Sequence, residues 1–375
     1  MRNLRPALWS VVLTLALLAT TACGGQSQPA TGNPAPAAPA PAANTSQPAT
    51  AAPQLEPTLT VAGAGGSLQQ AMEQQILPLF EKKFGVKVTY QAATSAQSLA
   101  QTQANRNNPP YDVIWGSEQT HVQGKTAGLW QPVDPTVVTN FKNVYPEFQD
   151  PDKVGVPLGF VVVGLEYNSK IFKDKGFTPP TSWQDLWNPA YKNHVGAYAW
   201  SVAFSPALLF GLAKNQGGSD TTAAFDKLKG LAPNLVNVFP DPGSLDNSLA
   251  QGDTWITYNS SARVQQASQS GQPLKFVAPN EGAVYQGSML DIPINAAHPK
   301  AAQAFLNFWL SPEVQQLLPK ALGYAPVIPN VTIPSDLAEY VPSPDSRKQL
   351  VFVDWKVIAQ RNQELSQQWD KSLQK

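Results

Sequence analysis

The sequence predicts an α/β fold in two lobes, and three observations carry the prediction. The stretch from Pro57 to Lys375 is too long for one simple hydrophobic core. Strand-like and helix-like hydrophobic periods alternate along it from its first residues. The run from Val154 to Tyr167 is long, β-branched and punctuated by glycine, the character of a strand that passes from one lobe to the other.

What precedes Pro57 is of another kind. Arg2 and Arg5 make a short positive end, and Ala7 to Ala19 is apolar except for Ser10 and Thr14. That is the length of a signal-peptide core and well short of the ~20 residues of a membrane-spanning helix. Cys23 is the sole cysteine, so it closes no intramolecular disulfide and shares no cysteine-based metal site. With Thr20, Thr21 and Ala22 before it, the segment resembles a bacterial lipobox, although Thr20 stands where Leu, Val or Ile is usual. The resemblance implies cleavage after Ala22 and a lipid on Cys23; the alternatives are an ordinary cleaved secretory signal and a retained anchor helix. From Gly24 to Leu55 there is no charged residue, and seven prolines alternate with Ala, Gln, Ser and Thr. Such a chain buries too little surface to offset its ordering entropy, and it reads as a tether. The whole sequence balances 26 basic against 26 acidic residues and has no arginine-rich stripe, which excludes nucleic acid as a partner.

The folded part opens with Leu59 and Val61 on a strand, a glycine loop, helical spacing at Leu68, Met72, Ile76, Leu79 and Phe84, and a second strand from Val86 to Tyr90. The loop, "GAGGSL", fails the dinucleotide fingerprint because Leu68 occupies the third glycine position. It fails the phosphate-loop pattern because no Gly-Lys-Ser/Thr follows. Ser67 reads as the N-cap, with free N–H groups and a hydroxyl facing outward from a strand end. A second unit places Val113 and Ile114 on a strand, with Trp115, Gly116, Ser117 and Glu118 in the following loop. In an open α/β sheet such loops line the ligand crevice. In "PPTSWQDLW" the prolines stop the chain, Ser182 or Thr181 caps a helix, and Trp183, Leu186 and Trp187 form its buried face. "YAWSVAFSPALLFG" is an aromatic and hydroxyl-rich turn opening a helix. "GDTWITYNSSARVQQA" repeats the plan: a strand from Trp255 to Tyr258, then Asn259, Ser260 and Ser261 at a helix start. Pro299 and Pro312 occupy first helical positions. Phe305, Phe308 and Trp309 make one core stripe, and Val314, Leu317 and Leu318 another.

Six segments in this order, "FEKKFGVKVTY", "YDVIWGS", "VPLGFVVVGLEYNSKIF", "PTSWQDLWNPAYKNHV", "IPINAAHPKAAQAFLNFWLSPEVQ" and "GYAPV", resemble the extracellular solute-binding proteins of ABC importers. The likeness lies within the group that includes spermidine/putrescine-binding proteins and covers roughly residues 57 to 340. It implies a two-lobed periplasmic-binding-protein-like fold of type II, with mixed sheets flanked by helices and lobes joined by β-strand hinges. The expected organisation is a signal peptide over 1–22, a lipid-anchored tether over 23–56, the first lobe over 57–160, the second over 161–283, and a returning segment with C-terminal helices over 284–375. The implied protein is a monomer at the extracytoplasmic face of a bacterial membrane. One small-molecule solute sits in its cleft, and the permease subunits of an ABC importer are its partners.

An enzyme, such as a secreted hydrolase, is the rival class. The three histidines, His121, His194 and His298, are far apart in sequence, and no HExxH, GxSxG or Ser-x-x-Lys framework accompanies them. The expectation is no catalysis, no cofactor and no metal. An adhesive module predicts internal repeats, and none is found. For the solute, the resemblance implies that polyamine receptors meet ammonium groups with carboxylates and methylenes with aromatic faces. Here the acidic pair expected near "AYAWSVAFS" is missing, with Trp200, Ser201 and Phe204 in its region, and the carboxylate expected before "IPINA" falls near Ser288. Tyr258 keeps an aromatic position, and Glu118 and Asp291 stay open as counter-charges. The cleft candidates are therefore Ser67, Ser117, Glu118, Trp200, Ser205, Tyr258, Ser288 and Asp291, with Arg263 close by in sequence. This set is hydroxyl and aromatic more than anionic. It points to a small polar solute that is neutral, zwitterionic or anionic, in preference to a polyamine; ferric ion is disfavoured because no adjacent tyrosine pair occurs.

Overall fold

The computed structural model describes residues 54–215, 220–343 and 345–374; the signal peptide, Cys23 and nearly all of the tether lie outside them. Nine strands form one sheet: β1 (Thr58–Gly63), β2 (Lys87–Ala92), β3 (Val113–Ser117), β4 (Val156–Asn168), β5 (Val195–Tyr198), β6 (Leu235–Phe239), β7 (Ile256–Ser260), β8 (Leu274–Val277) and β9 (Val284–Asp291). Their spatial order is β2-β1-β3-β9-β4-β7-β5-β6, with β8 beside β4. At one end β1 pairs parallel with β2 and β3; at the other, β5 pairs parallel with β6 and β7. Between them β9 and β4 run antiparallel to their neighbours and join the two halves.

The expected crossing strand is β4, thirteen residues long and buried throughout. A strand covered on both faces reads as a continuous apolar run, which is why "VPLGFVVVGL" does not alternate. Its first part pairs with β9 and its second with β7 and β8. Gly164 stands where β8 comes closest. A Cβ there would lie 2.5 Å from the Val277 carbonyl oxygen and 2.6 Å from the Phe276 ring.

Several local expectations shift. The Leu68–Phe84 helix is three segments, α-helical over Ser67–Ala71, π-helical over Met72–Ile76 and α-helical again over Leu77–Phe84. Pro78 has no N–H to return to the preceding turn, and the widened π turn precedes it. Its buried face is Met72, Ile76, Leu77 and Phe80, with Leu79 and Phe84 only partly covered. Ser67 is the first helical residue, not the N-cap. Gly66 takes that position at φ 73, a conformation glycine adopts without a Cβ penalty, and no side chain caps the helix. β3 continues through Trp115 and Gly116 to Ser117, because Ile114 to Ser117 find antiparallel partners in Asp291 to Ser288. β7 likewise runs on to Ser260. Ser182 does cap: its Oγ accepts from Gln184 N, and Asp185 accepts from Ser182 N, over a 3-10 segment Trp183–Trp187. Pro299 and Pro312 open the helices Pro299–Trp309 and Pro312–Gln315. The stripe Phe305, Phe308 and Trp309 is buried, packed edge-on to Phe80 and Trp115.

The close approach at Gly164 yields a test. Gly164→Ala should force β8 away from β4 and cost about 1–3 kcal/mol, the range for overpacking a filled site. The measurement is the urea midpoint at unchanged slope; an unshifted midpoint would show that this contact yields freely.

Candidate functional site

The carboxyl ends of β1, β3, β5 and β7 converge on the seam between the halves of the sheet, and two cavities lie along it. The first, about 230 Å³, takes Leu68 from the opening helix, Val161 from β4 and Gln286 from β9. Ser260, Arg263 and Gln266 line it from the end of β7 and the helix Ser261–Gln269, with Tyr324 facing them after the helix Leu318–Leu322. Arg263 is gripped by Asp246, Nη2 to Oδ2 at 2.5 Å, while its Nε has no partner. Ser260 precedes its helix without its side chain capping it. The second cavity, about 270 Å³, is walled by Gln119, Trp200, Ser201, Trp355, Asn362 and Ser366 among others. The long helix Trp355–Leu373 holds this wall in place. Trp200 Nε1 donates to Asn362 Oδ1 at 2.9 Å, and Trp369 Nε1 to the Tyr198 carbonyl at 2.9 Å. Among the described residues, Arg263 is the one charged side chain on either wall.

Acidic groups gather instead in a smaller cavity of about 170 Å³ bearing Glu118, His121, Glu147, Asp150 and Tyr285. Most of that charge is already compensated. Glu147 pairs with Arg347, and Asp150 accepts from Lys125 Nζ at 2.5 Å and contacts His121 Nε2 at 3.4 Å. Buried Asp291 holds His121 Nδ1 at 2.8 Å through Oδ1, leaving Oδ2 without a partner. Burial alone would depress the His121 imidazolium, but the carboxylates of Asp291 and Asp150 outweigh it and push its pKa up to about 10. Among the described residues Glu118 forms no ion pair, although the nearby His121 imidazolium favours its charged form. It accepts from Trp355 Nε1 at 3.1 Å and Gly287 N at 3.5 Å, and burial pushes its carboxyl up to about 7 despite those bonds.

The predicted residues divide accordingly. Trp200 lies on the second cavity. Ser117 caps the helix Glu118–Thr126, accepting from Thr120 N at 3.3 Å. Ser288 sits opposite it on β9, partly exposed, and hydrogen-bonds Tyr324. Ser67 contributes helical backbone beside Leu68. Three candidates turn inward. Tyr258 is fully buried, with its hydroxyl 2.9 Å from the Tyr198 N–H it accepts, and Ser205 is fully buried and donates to the Tyr198 and Ala199 carbonyls. Both hydroxyls are spent closing the end of β5 and line none of these three cavities. Asp291 is held inside by His121. Sequence reasoning passed over Gln286, Tyr324, Gln266 and Trp355. The signal for the first was present: on β9, Gln286 and Ser288 are partly exposed while Tyr285, Gly287 and Met289 are buried, so the polar pair marks one face.

The His121 cluster makes stability depend on pH. His121 binds its proton more tightly folded than unfolded, so its contribution is complete below its ordinary pKa of 6.5 and drains away as pH rises toward about 10. Asp150, held below the usual carboxylate range by His121 and Lys125 against its burial, contributes above that range and loses its contribution on acidification. His121→Gln should lower the melting temperature at pH 6.5 and flatten its decline between pH 7 and 10. A decline as steep as in the parent chain would assign that pH dependence to other groups.

Comparison with known proteins agrees with this architecture. The family model described as bacterial extracellular solute-binding protein matches residues 75–342. A spermidine/putrescine-binding periplasmic protein of Salmonella typhimurium is 29% identical over 262 residues, spanning 66% of this chain and 72% of its own. Among solved structures, an ABC transporter substrate-binding protein from Bradyrhizobium japonicum superposes with a TM-score of 0.72 at 22% identity, over 85% of this chain and 100% of that one. A spermidine/putrescine ABC transporter substrate-binding protein from Streptococcus pneumoniae gives 0.69 at 23% identity, over 85% and 100%. These two share the fold. The chain belongs to the bacterial extracellular solute-binding protein family.

Proposed function

We propose that this receptor captures a small polar solute, neutral, zwitterionic or anionic, in the seam between two lobes and delivers it to the permease subunits of an ABC importer. The lobes are 57–160 and 161–283, with 284–375 returning between them, and closure over the solute is the binding event. The observation that carries the reading is the charge of the seam. Cavities of about 230 and 270 Å³ present Arg263 and, among the described residues, no carboxylate. Bringing a dication into such a seam would strip its hydration without supplying a counter-charge.

A polyamine receptor is the second reading, favoured by the relatives' names. It requires Glu118, whose carboxyl already accepts two hydrogen bonds and titrates near neutrality. Turnover has no place in either reading, and each histidine already has partners within the protein. His121 is clasped by Asp291 and Asp150, His298 by Asp112 and Thr58, and His194 stacks on Trp255 and bonds the Asp253 carbonyl. The receptor works as a monomer, tethered to the extracytoplasmic membrane face through a lipid on Cys23.

A thermal-shift panel of amines, amino acids, carboxylates, phosphonates and sugars tests the solute class, since a ligand at ~100 times its Kd stabilises the native state by about 2.7 kcal/mol. A non-cationic solute should raise the melting temperature and shrink the radius of gyration in small-angle scattering. Stabilisation by spermidine or putrescine alone, at micromolar concentration, would replace this reading with the second. For the anchor, the mature N-terminus should be Cys23 bearing a lipid in mass spectrometry, and Cys23→Ala should leave the membrane fraction. An unmodified mature chain beginning elsewhere would remove the lipid.

A further inference from the structure

Arg263 is placed as a receiver of negative charge, with its surroundings on two sides. On the side away from the solute cavity, Asp246 of the helix Pro242–Gln251 holds Nη2 at 2.5 Å and is absent from the cavity wall. Two other acids feel its charge: Asp241, exposed and accepting from Ser244 N as the cap of its helix, and Glu166 on β4, which is buried, accepts from Asn259 Nδ2 at 2.9 Å, and is pushed up to about 7 by burial, so it is partly protonated at neutral pH. The guanidinium is therefore anchored on one nitrogen and not enclosed by carboxylates. Its Nε carries no partner. On the cavity side the remaining wall polarity is neutral: Ser260, whose hydroxyl does not cap its helix, Gln266 one turn beyond Arg263, Gln286 on β9 and Tyr324. One fixed cation among neutral amides and hydroxyls, in about 230 Å³, matches a small acid bearing further hydrogen-bonding groups.

We propose that Arg263 reads the charge of the solute: the solute carries a carboxylate or phosphoryl oxyanion, received on the guanidinium nitrogens that Asp246 leaves free, with Asp246 as the positioning residue. The inference rests on the seam cavity being the solute's site. The Arg263–Asp246 pair is partly exposed to solvent, which screens it, so sharing the guanidinium with a ligand costs the fold little.

The test is titration calorimetry on the purified full chain with succinate, inorganic phosphate and glycerol 2-phosphate as probes, and glycerol and putrescine as uncharged and cationic counterparts. At least one oxyanion should bind with a Kd below about 1 mM, weakening as NaCl is raised, because the contact is between charges. Arg263→Gln should weaken it at least tenfold, Arg263→Lys less, and Asp246→Asn should fall between the parent chain and Arg263→Gln. Should Arg263→Gln fail to fold, the salt dependence and the Arg263→Lys titration decide. Binding unchanged within twofold in Arg263→Gln, no salt dependence, or no binding of any of the three oxyanions at 10 mM overturns the proposal. Tyr324→Ala separates it from the reading beneath it. A probe lost in Tyr324→Ala yet kept in Arg263→Gln leaves the seam site standing and removes the role of Arg263, whereas a probe indifferent to both removes the seam site itself.

Discussion

The continuity of the sheet rests on β4, and so does the position of the seam. A thirteen-residue strand with no exposed residue must pair every backbone N–H and C=O inside the protein, and β4 does so by changing partners, β9 first and then β7 and β8. The register slips between Pro157 and Gly159, which takes Leu158 out of the ladder. Its carbonyl is recovered by two side chains, the Trp309 indole at 2.7 Å and the Gln315 amide at 3.2 Å. Gln315 in turn accepts from Val327 N at 2.9 Å, so one buried amide ties the slip in β4 to the "GYAPV" segment that carries Tyr324. The bulge also bears on the first cavity wall: Val161 lies two residues beyond the slip, and Tyr324 lies three residues before Val327, the residue Gln315 ties down.

The same demand for satisfied polar groups accounts for the tryptophans. Nine of the ten lie among the described residues, and eight of these nine donate the indole N–H to a protein acceptor: Trp130, Trp183, Trp187, Trp255, Trp309 and Trp369 to main-chain carbonyls, Trp200 and Trp355 to side chains. An indole buries a large apolar face and closes one loose acceptor at once. Trp200 and Trp355 do this at the second cavity, where they also supply its wall.

Much of the fold was legible in the sequence because it is written in periods. The unbroken apolar run of β4, the prolines opening two helices and the capping serine at 182 each have a local cause, and each is where that cause puts it. Ser67 was misread because the competition between it and Gly66 for the cap is decided by a backbone angle, φ 73, that only the folded turn reveals. The site was less legible for a related reason. A hydroxyl near a strand end serves either solute or scaffold, and the choice depends on distant partners. Ser205 and Tyr258 are used up by the backbone at the end of β5, across 53 residues of sequence from one another. Asp291 and His121 neutralise each other across 170.

This division between scaffold and wall also limits what kinship says about cargo. The sheet and its crossing strands are set by main-chain pairing and core packing, properties that survive at 22–23% identity. Solute charge is set by a few side chains at strand ends, each free to change without disturbing β4 or β9. Where the resemblance implies a carboxylate, Ser288 hydrogen-bonds Tyr324, a neutral pair with no power to hold an ammonium group out of water. Replacing an acid by a hydroxyl at that place removes a counter-charge and leaves the fold untouched. Glu147, Asp150 and Asp291 are matched to Arg347, Lys125 and His121, Glu118 is held by neutral hydrogen-bond donors, and Arg263 is the charged side chain on the wall of the first cavity.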